Sequence, residues 1–302
     1  MDLLEFGKWF FLCSAAGILV WTGTLLFRRR RLPAWLKLSL GVTMSGGLLL
    51  VDMYLVEPNW IQIETVRIHN HRLAELLGAT KVVQISDLHV SGRLGFREEN
   101  LIRTVNGLLP DIVLITGDFI SDTAGKGVAV ELTRRLTAKL GKFGVPGNND
   151  NYRYKPGEMR KSFPAAGVVV LVNENRRLLL PNGRILNLAG VNDPVTGQAR
   201  IDDALFGIPA GEPVVMLAHS PEFLPVAAGK GVDLLLTGHT HGGQFGMQWL
   251  IRFFNLTDPV NTMQGLYKDR QTTMYVNRGI GTTTLPLRFL CRPEVTIFEF
   301  QP

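Results

Sequence analysis

Two long apolar runs open the chain, and short alternating segments follow them. From Trp9 to Phe27 there are 19 residues without a charge, close to the ~20 that cross a hydrocarbon core as a helix. Arg28, Arg29, Arg30 and Arg31 come next. A second run of the same length, Leu38 to Val56, contains Asp52, Gly46 and Gly47, which leaves its span open. Beyond Pro58 the spacing predicts a half-buried strand at Ile61 to Glu64 and buried strands at Lys81 to Ser86, Asp111 to Thr116, Lys142 to Pro146, Pro213 to Ala218 and Val232 to Thr237. Helical spacing falls between them, at Arg97 to Leu109, Gly127 to Leu140 and Pro221 to Ala228. Three β-rich runs between Val168 and Val191 are split by Pro181-Asn182-Gly183, a hairpin signal. Strands alternating with helices predict a layered α/β domain at 58–302, preceded by a membrane anchor at 1–57, with Glu57 to Trp60 as the linker.

Composition changes this picture little. Hydrophobic residues make up 46% and charged residues 19% of the 302 residues, and the apolar excess sits at the N-terminus. A cleaved signal peptide is the rival reading of the first run, but the basic cluster follows that run where a signal would have it in front. An anchor of one or two transmembrane helices is therefore expected. The loop from Arg28 to Lys37 holds five Lys or Arg, which resist translocation. If both runs span, that loop is cytoplasmic and the α/β domain lies outside; if only the first spans, the domain stays inside. Residues 1–56 carry six basic and three acidic residues of a formal +6, so the remainder has a surplus of only three. That is no nucleic-acid face, which would need a basic stripe. Cys13 and Cys291 imply no disulfide framework.

The chemistry is concentrated in Asp87-Leu88-His89, Gly117-Asp118, Gly147-Asn148-Asn149-Asp150, the isolated His219 and Gly238-His239-Thr240-His241. Four of the six histidines fall here, each after an expected strand. In α/β sheets the loops beyond the carboxyl ends of strands form the ligand crevice, so these residues are expected to meet. Imidazoles mixed with hard oxygen donors suit Mn, Fe or Zn. Alone, His219 reads as an interior histidine and Asp118 as a turn residue; the set points to a metal centre. His69 and His71 read as surface residues.

In this order the blocks resemble the calcineurin-like metallophosphoesterase superfamily over residues 80 to 300. The N-terminal anchor, Gly238 to Gln244 and Asn277-Arg278-Gly279-Ile280-Gly281 resemble a bacterial membrane-associated branch of phosphodiesterases. The resemblance implies a four-layer αββα sandwich and two divalent ions (Mn, Fe or Zn), one on Asp87, His89 and His241 and the other on Asn148, His219 and His239, with Asp118 bridging. Such ions, ~3.5 to 4 Å apart, activate the attacking water and clamp phosphoryl oxygens. Asp118, Asn149 and Asp150 are the expected catalytic residues, Asp150 by orienting a neighbour. The chain departs from the pattern at Asn149, where the family usually has His; Asn donates a hydrogen bond but supplies no proton near neutral pH. Sugar-nucleotide hydrolases of lipid A synthesis, which resemble this chain, also lack that histidine and have Arg there.

After Gln244, Phe245, Met247, Trp249, Leu250, Ile251, Phe253 and Phe254 crowd into ten residues with Arg252. They form either a core helix or an apolar rim suited to acyl chains. Trp249, Arg252 and Arg278 are the expected substrate contacts, while Arg288 and Arg292 read as structural or solvated. The function expected is hydrolysis of a phosphodiester or pyrophosphate bond in a phosphorylated, lipid-linked substrate such as UDP-2,3-diacylglucosamine, by an enzyme anchored in the bacterial inner membrane. No protein partner is expected. An extracytoplasmic phosphodiesterase acting on wall or lipid substrates, which the loop charge favours, and a non-catalytic membrane scaffold are the alternatives.

Overall fold

The computed structural model describes residues 3–28, 32–155, 157–246 and 262–302. Among them twelve strands form two six-stranded sheets. The first runs β1 (Gln62–His69), β12 (Glu294–Gln301), β2 (Val82–Ile85), β3 (Ile112–Ile115), β4 (Gly141–Gly144) and β5 (Val168–Val170). The second runs β10 (Gly265–Asp269), β11 (Thr272–Val276), β9 (Leu234–Thr237), β8 (Val214–Leu217), β7 (Ile185–Gly190) and β6 (Glu174–Leu179). The central strands are parallel in both, β2 to β5 in one and β7, β8, β9 and β11 in the other. Parallel strands covered on both faces have to be apolar throughout, and β2, β3, β8 and β9 are buried at every position.

Alternation along each strand distributes its side chains between two cores. Val82, Ile112, Leu114 and Phe143 meet Leu188, Val215, Leu217, Leu234 and Leu236 between the sheets. Leu73, Leu76 and Leu77 of α3 (His71–Leu77) join that core; on the opposite face of the first sheet, Val83, Ile85, Val113 and Ile115 pack under α4 (Phe96–Gly107) and α5 (Gly125–Arg135), in one cluster with Met159 of α7 (Glu158–Ser162). Outside the second sheet, Val214, Met216, Leu235 and Met274 pack under α8 (Ile201–Leu205) and α9 (Leu224–Gly229). The result is the four-layer αββα sandwich. Pro181-Asn182-Gly183 turns the β6–β7 hairpin, where Leu180 N donates to Arg184 O.

Some boundaries differ from the expectation. Helix α5 stops at Arg135 because Leu136 is extended (φ −73°, ψ 141°), and the chain from there leads into β4. Pro221 opens a 3₁₀ turn, Pro221–Phe223, before α9 begins. The Ile61 strand continues to His69 because each residue from Gln62 pairs with β12, a partner more than 200 positions away. Local spacing carries no trace of that partner.

At the N-terminus, α1 (Leu3–Arg28) and α2 (Ala34–Val51) pack on each other, with Gly47 placed against Leu19 so that a Cβ there would lie 3.3 Å from Leu19 Cδ2. Helix α2 runs on through one π turn and one 3₁₀ turn, giving a helical rod from Ala34 to Asn59 that is, among the described residues, the one long and apolar enough to cross a membrane. Its outward Trp35, Leu38 and Val42 are exposed. The expected linker is docked. Buried Glu57 accepts from Leu290 N and Cys291 N, Arg288 N donates to Met53 O, and the Arg292 guanidinium lies 3.6 Å from the Trp60 ring centroid.

Fully buried Arg288 ties this C-terminal loop together by donating to the carbonyls of Arg278, Gly279, Gly281 and Cys291. Arg288→Met would leave the carbonyls of Arg278, Gly281 and Cys291 without this donor, at a cost of roughly 2–4 kcal/mol, and should lower the melting temperature by about 5–15 °C. Arg292→Met, which among the described residues loses the Trp60 contact, should cost less than about 1 kcal/mol. Equal melting temperatures for the two variants would contradict this account of the loop.

Candidate active site

Both sheets deliver their chemistry at the carboxyl ends of the central strands. Asp87 and His89 follow β2, Asp118 follows β3, and Asn148, Asn149 and Asp150 open α6 (Asn148–Arg153) just after β4; His219 follows β8, and His239 and His241 follow β9. Buried Gln84 holds the two sheets in register here, its Nε2 donating to Thr116 Oγ1 and Thr237 O. The backbone at these ends is strained. Asp87 (φ 51°), His89 (45°), Asp118 (52°), His239 (72°) and His241 (53°) all sit in the left-handed region, which costs an L-residue roughly 1–3 kcal/mol and collects at functional sites.

Of Gly117, Gly147 and Gly238, which precede the site residues at these turns, Gly117 alone uses the left-handed freedom of glycine, at φ 92°. Gly147 has φ −102°, a value open to any residue, and what requires glycine there is room, since a Cβ would fall on Asp118 Oδ1. At Gly238 it would fall on Ser86 Oγ and Asp87 Oδ2.

All seven expected metal-binding side chains converge. His89 Nε2 lies 3.1 Å from His241 Nε2 and 3.3 Å from Asp118 Oδ2, and His241 Nε2 lies 3.4 Å from Asp87 Oδ1. On the other side His219 Nε2 lies 3.4 Å from Asp118 Oδ2, 3.0 Å from Asn148 Oδ1 and 3.2 Å from His239 Nδ1, which is itself 3.0 Å from Asn148 Oδ1. Asp87, His89 and His241 form one compact group and Asp87, Asp118 and His219 another. Donors held at about 2.1 Å from one ion are separated by roughly 3.0 Å in octahedral and 3.4 Å in tetrahedral coordination, so these spacings fit bound cations. The tautomer fits too. His219 Nδ1 donates to Thr116 O at 2.7 Å, leaving the Nε2 lone pair turned into the crevice.

Burial opposes charge on Asp118, but the charges and hydrogen bonds of His219 and His89 outweigh it and hold the carboxyl well below the usual range. Burial likewise opposes a proton on His219, yet Asp118, with Asp87 behind it, pushes that imidazole up to about 10. His241 is driven by burial down to about 3 despite Asp87, and among the described residues its Nδ1 has no hydrogen-bond partner. Without a cation the site therefore keeps a proton on His219.

Fully buried Asp150 accepts from Gly147 N (3.0 Å), Phe119 N (3.0 Å) and Ile120 N (3.3 Å), stapling the Asp118 turn to the start of α6. Burial first, and then the Asp118 charge, push its carboxyl up to about 7. Asn149 also belongs to Asp118, donating from N to Oδ1 at 2.8 Å and from Nδ2 to Oδ2 at 2.6 Å. The Asn277 to Gly281 motif braces the other flank: Ile280 N donates to Ser86 O and Gly281 N to Asp87 O.

Arg278, expected on substrate, directs its guanidinium to Glu294 (Nε to Oε2, 2.5 Å) and Glu64 (3.7 Å). Trp249 and Arg252 lie outside the described residues, and His69 and His71 are exposed. Arg153, which donates to Asn149 Oδ1 at 2.8 Å, was not singled out from the sequence. Its one signal there was the i, i+4 spacing from Asn149.

The calcineurin-like phosphoesterase family model matches residues 80–243, more than half of the chain, and the chain belongs to that family. It is a metallophosphoesterase, a hydrolase of phosphoric esters in a family that binds divalent metals. It is 33% identical to the uncharacterized metallophosphoesterase YkuE of Bacillus subtilis over 87% of this chain and 93% of that one. It is 30% identical to the phosphodiesterase YaeI of Escherichia coli over 82% and 91%. A transmembrane protein with metallophosphoesterase domain of Bos taurus is also 30% identical, over 78% of this chain and 56% of its own length.

Because the folded, metal-free site holds a proton on His219 that an unfolded chain releases near 6.5, its fold should lose stability as pH rises from 6.5 towards about 10. A cation has to displace that proton, so metal affinity should rise by up to about tenfold per pH unit across this window. Calorimetry of Mn binding in buffers of different ionisation enthalpy should report proton release. Asp118→Asn should weaken binding and flatten the slope. Affinity independent of pH, with no proton released, would contradict the electrostatics described.

Proposed function

We propose that the protein is a membrane-anchored dinuclear phosphodiesterase. Asp87, His89 and His241 would hold one divalent ion, Asn148, His219 and His239 the other, and Asp118 would serve both. The observation that carries this reading is the convergence of seven donor side chains from five strand ends at 3.0–3.4 Å spacing. Bound there, the ions supply Lewis-acid charge for phosphoryl oxygens and make water acidic enough to attack at neutral pH. The chain's own contribution is to set the donors: Thr116 O fixes the His219 tautomer, and Asp150 fixes the Asp118 turn.

Asn149 stands where the superfamily usually has histidine, and its amide cannot protonate an alkoxide. Substrates whose leaving group is already a stable anion fit this site best. Together with the apolar rod Ala34–Asn59, that favours a lipid-linked pyrophosphate, with UDP-2,3-diacylglucosamine as the specific candidate. The relative named as a transmembrane protein supports the anchor. The second reading, an extracytoplasmic phosphodiesterase on wall or lipid substrates, is favoured by the five basic residues of the Arg28 to Lys37 loop.

Purified enzyme with Mn should cleave aryl diesters and pyrophosphate-linked substrates faster than simple alkyl diesters, by about 10²-fold or more. Equal rates would remove the leaving-group argument. A reporter fused after Pro302 separates the two substrate readings. An extracytoplasmic C-terminus excludes a cytosolic UDP-lipid, and a cytoplasmic one excludes the second reading.

A further inference from the structure

The orientation of the Asn149 amide is determined by two charges. On one side Nδ2 donates to Asp118 Oδ2 at 2.6 Å; on the other Arg153 Nη1 donates to Oδ1 at 2.8 Å and to the Asn149 main-chain O at 3.1 Å. A carboxylate only accepts and a guanidinium only donates, so turning the amide over would set oxygen against carboxylate and N–H against guanidinium. Arg153 is half-buried, and among the described residues its hydrogen bonds go to Asn149 alone. Asp118 by itself would draw the amide the same way, but it would leave Oδ1 without a partner and the side chain free to swing with each change of charge at the site.

We propose that Arg153 is a positioning residue that locks the Asn149 amide with Nδ2 towards Asp118 and the crevice, polarising it as a hydrogen-bond donor for a phosphoryl or leaving oxygen. This inference rests on the phosphodiesterase reading of the site. Nδ2 carries two hydrogens, and the bond to Asp118 uses one. The second is available to substrate, and a cation on Oδ1 strengthens it as a donor. The position that lacks histidine thus gains a charged support one helical turn away, at Arg153. The cation acts through the amide and does not itself touch the reacting oxygens.

The test is a double-mutant cycle on the full-length protein with Mn, read by aryl-diester turnover, by inorganic phosphate binding in calorimetry, and by bound metal and melting temperature. Arg153→Met should lower kcat roughly 10- to 100-fold, the scale of losing one oriented donor. It should also weaken phosphate binding, with metal content and melting temperature nearly unchanged. Arg153→Lys should restore most of the loss. In an Asn149→Ala background, Arg153→Met should change nothing further. The inference is overturned if Arg153→Met is fully active, if its effect persists without Asn149, or if the loss follows lost metal or stability. Wild-type protein that carries metal but neither binds phosphate nor cleaves a diester would remove the phosphodiesterase reading and this inference with it. An active wild type indifferent to Arg153→Met removes the inference alone.

Discussion

A carboxylate buried at the junction of two sheets has to be balanced by several groups at once, and Asp118 meets that demand with partners from both. His89 comes from the turn after β2, Asn149 from the start of α6 and His219 from the end of β8. None of them is near another in the chain, so the two sheets must pack in one register for the charge to be compensated. Gln84 bridges the sheets beneath the site, and Asp150 ties the Asp118 turn to the Gly147 turn. The sandwich and the site are thus mutually dependent.

That dependence accounts for the local costs. Five of the converging side chains reach inward from left-handed backbone, a conformation that persists only where the surroundings over-determine it. Here the surroundings are the glycines pressed against Asp118 and Asp87 and the loop closed by Arg288. The same loop receives Glu57 from the end of the apolar rod, and Cys291 donates its thiol to His241 O. A continuous path of packed and hydrogen-bonded groups therefore connects the N-terminal helices to the metal-site turn.

Much of this was legible in the sequence because it is written in short range. Parallel strands buried on both faces leave apolar runs, and the residues just beyond them, Asp87, Asp118, Asn148, His219 and His239, are where a crevice must form. Pro181-Asn182-Gly183 named its hairpin. Features that depend on distant partners were not legible: β12 between β1 and β2, the docking of Glu57, and the capture of Arg278 by Glu294. Gly147 and Gly238 show the difference in one residue type, since a turn signal can be read from sequence whereas lack of space cannot. Arg153 escaped notice because a lone arginine gains meaning only from the amide it faces.

Anomalous diffraction from crystals grown with Mn, together with elemental analysis, tests most directly the proposal that two adjacent cation positions share Asp118. The account predicts two ions per chain, ~3.5 to 4 Å apart, with Asp118 contacting both. A single ion, or two ions without Asp118 between them, would contradict it.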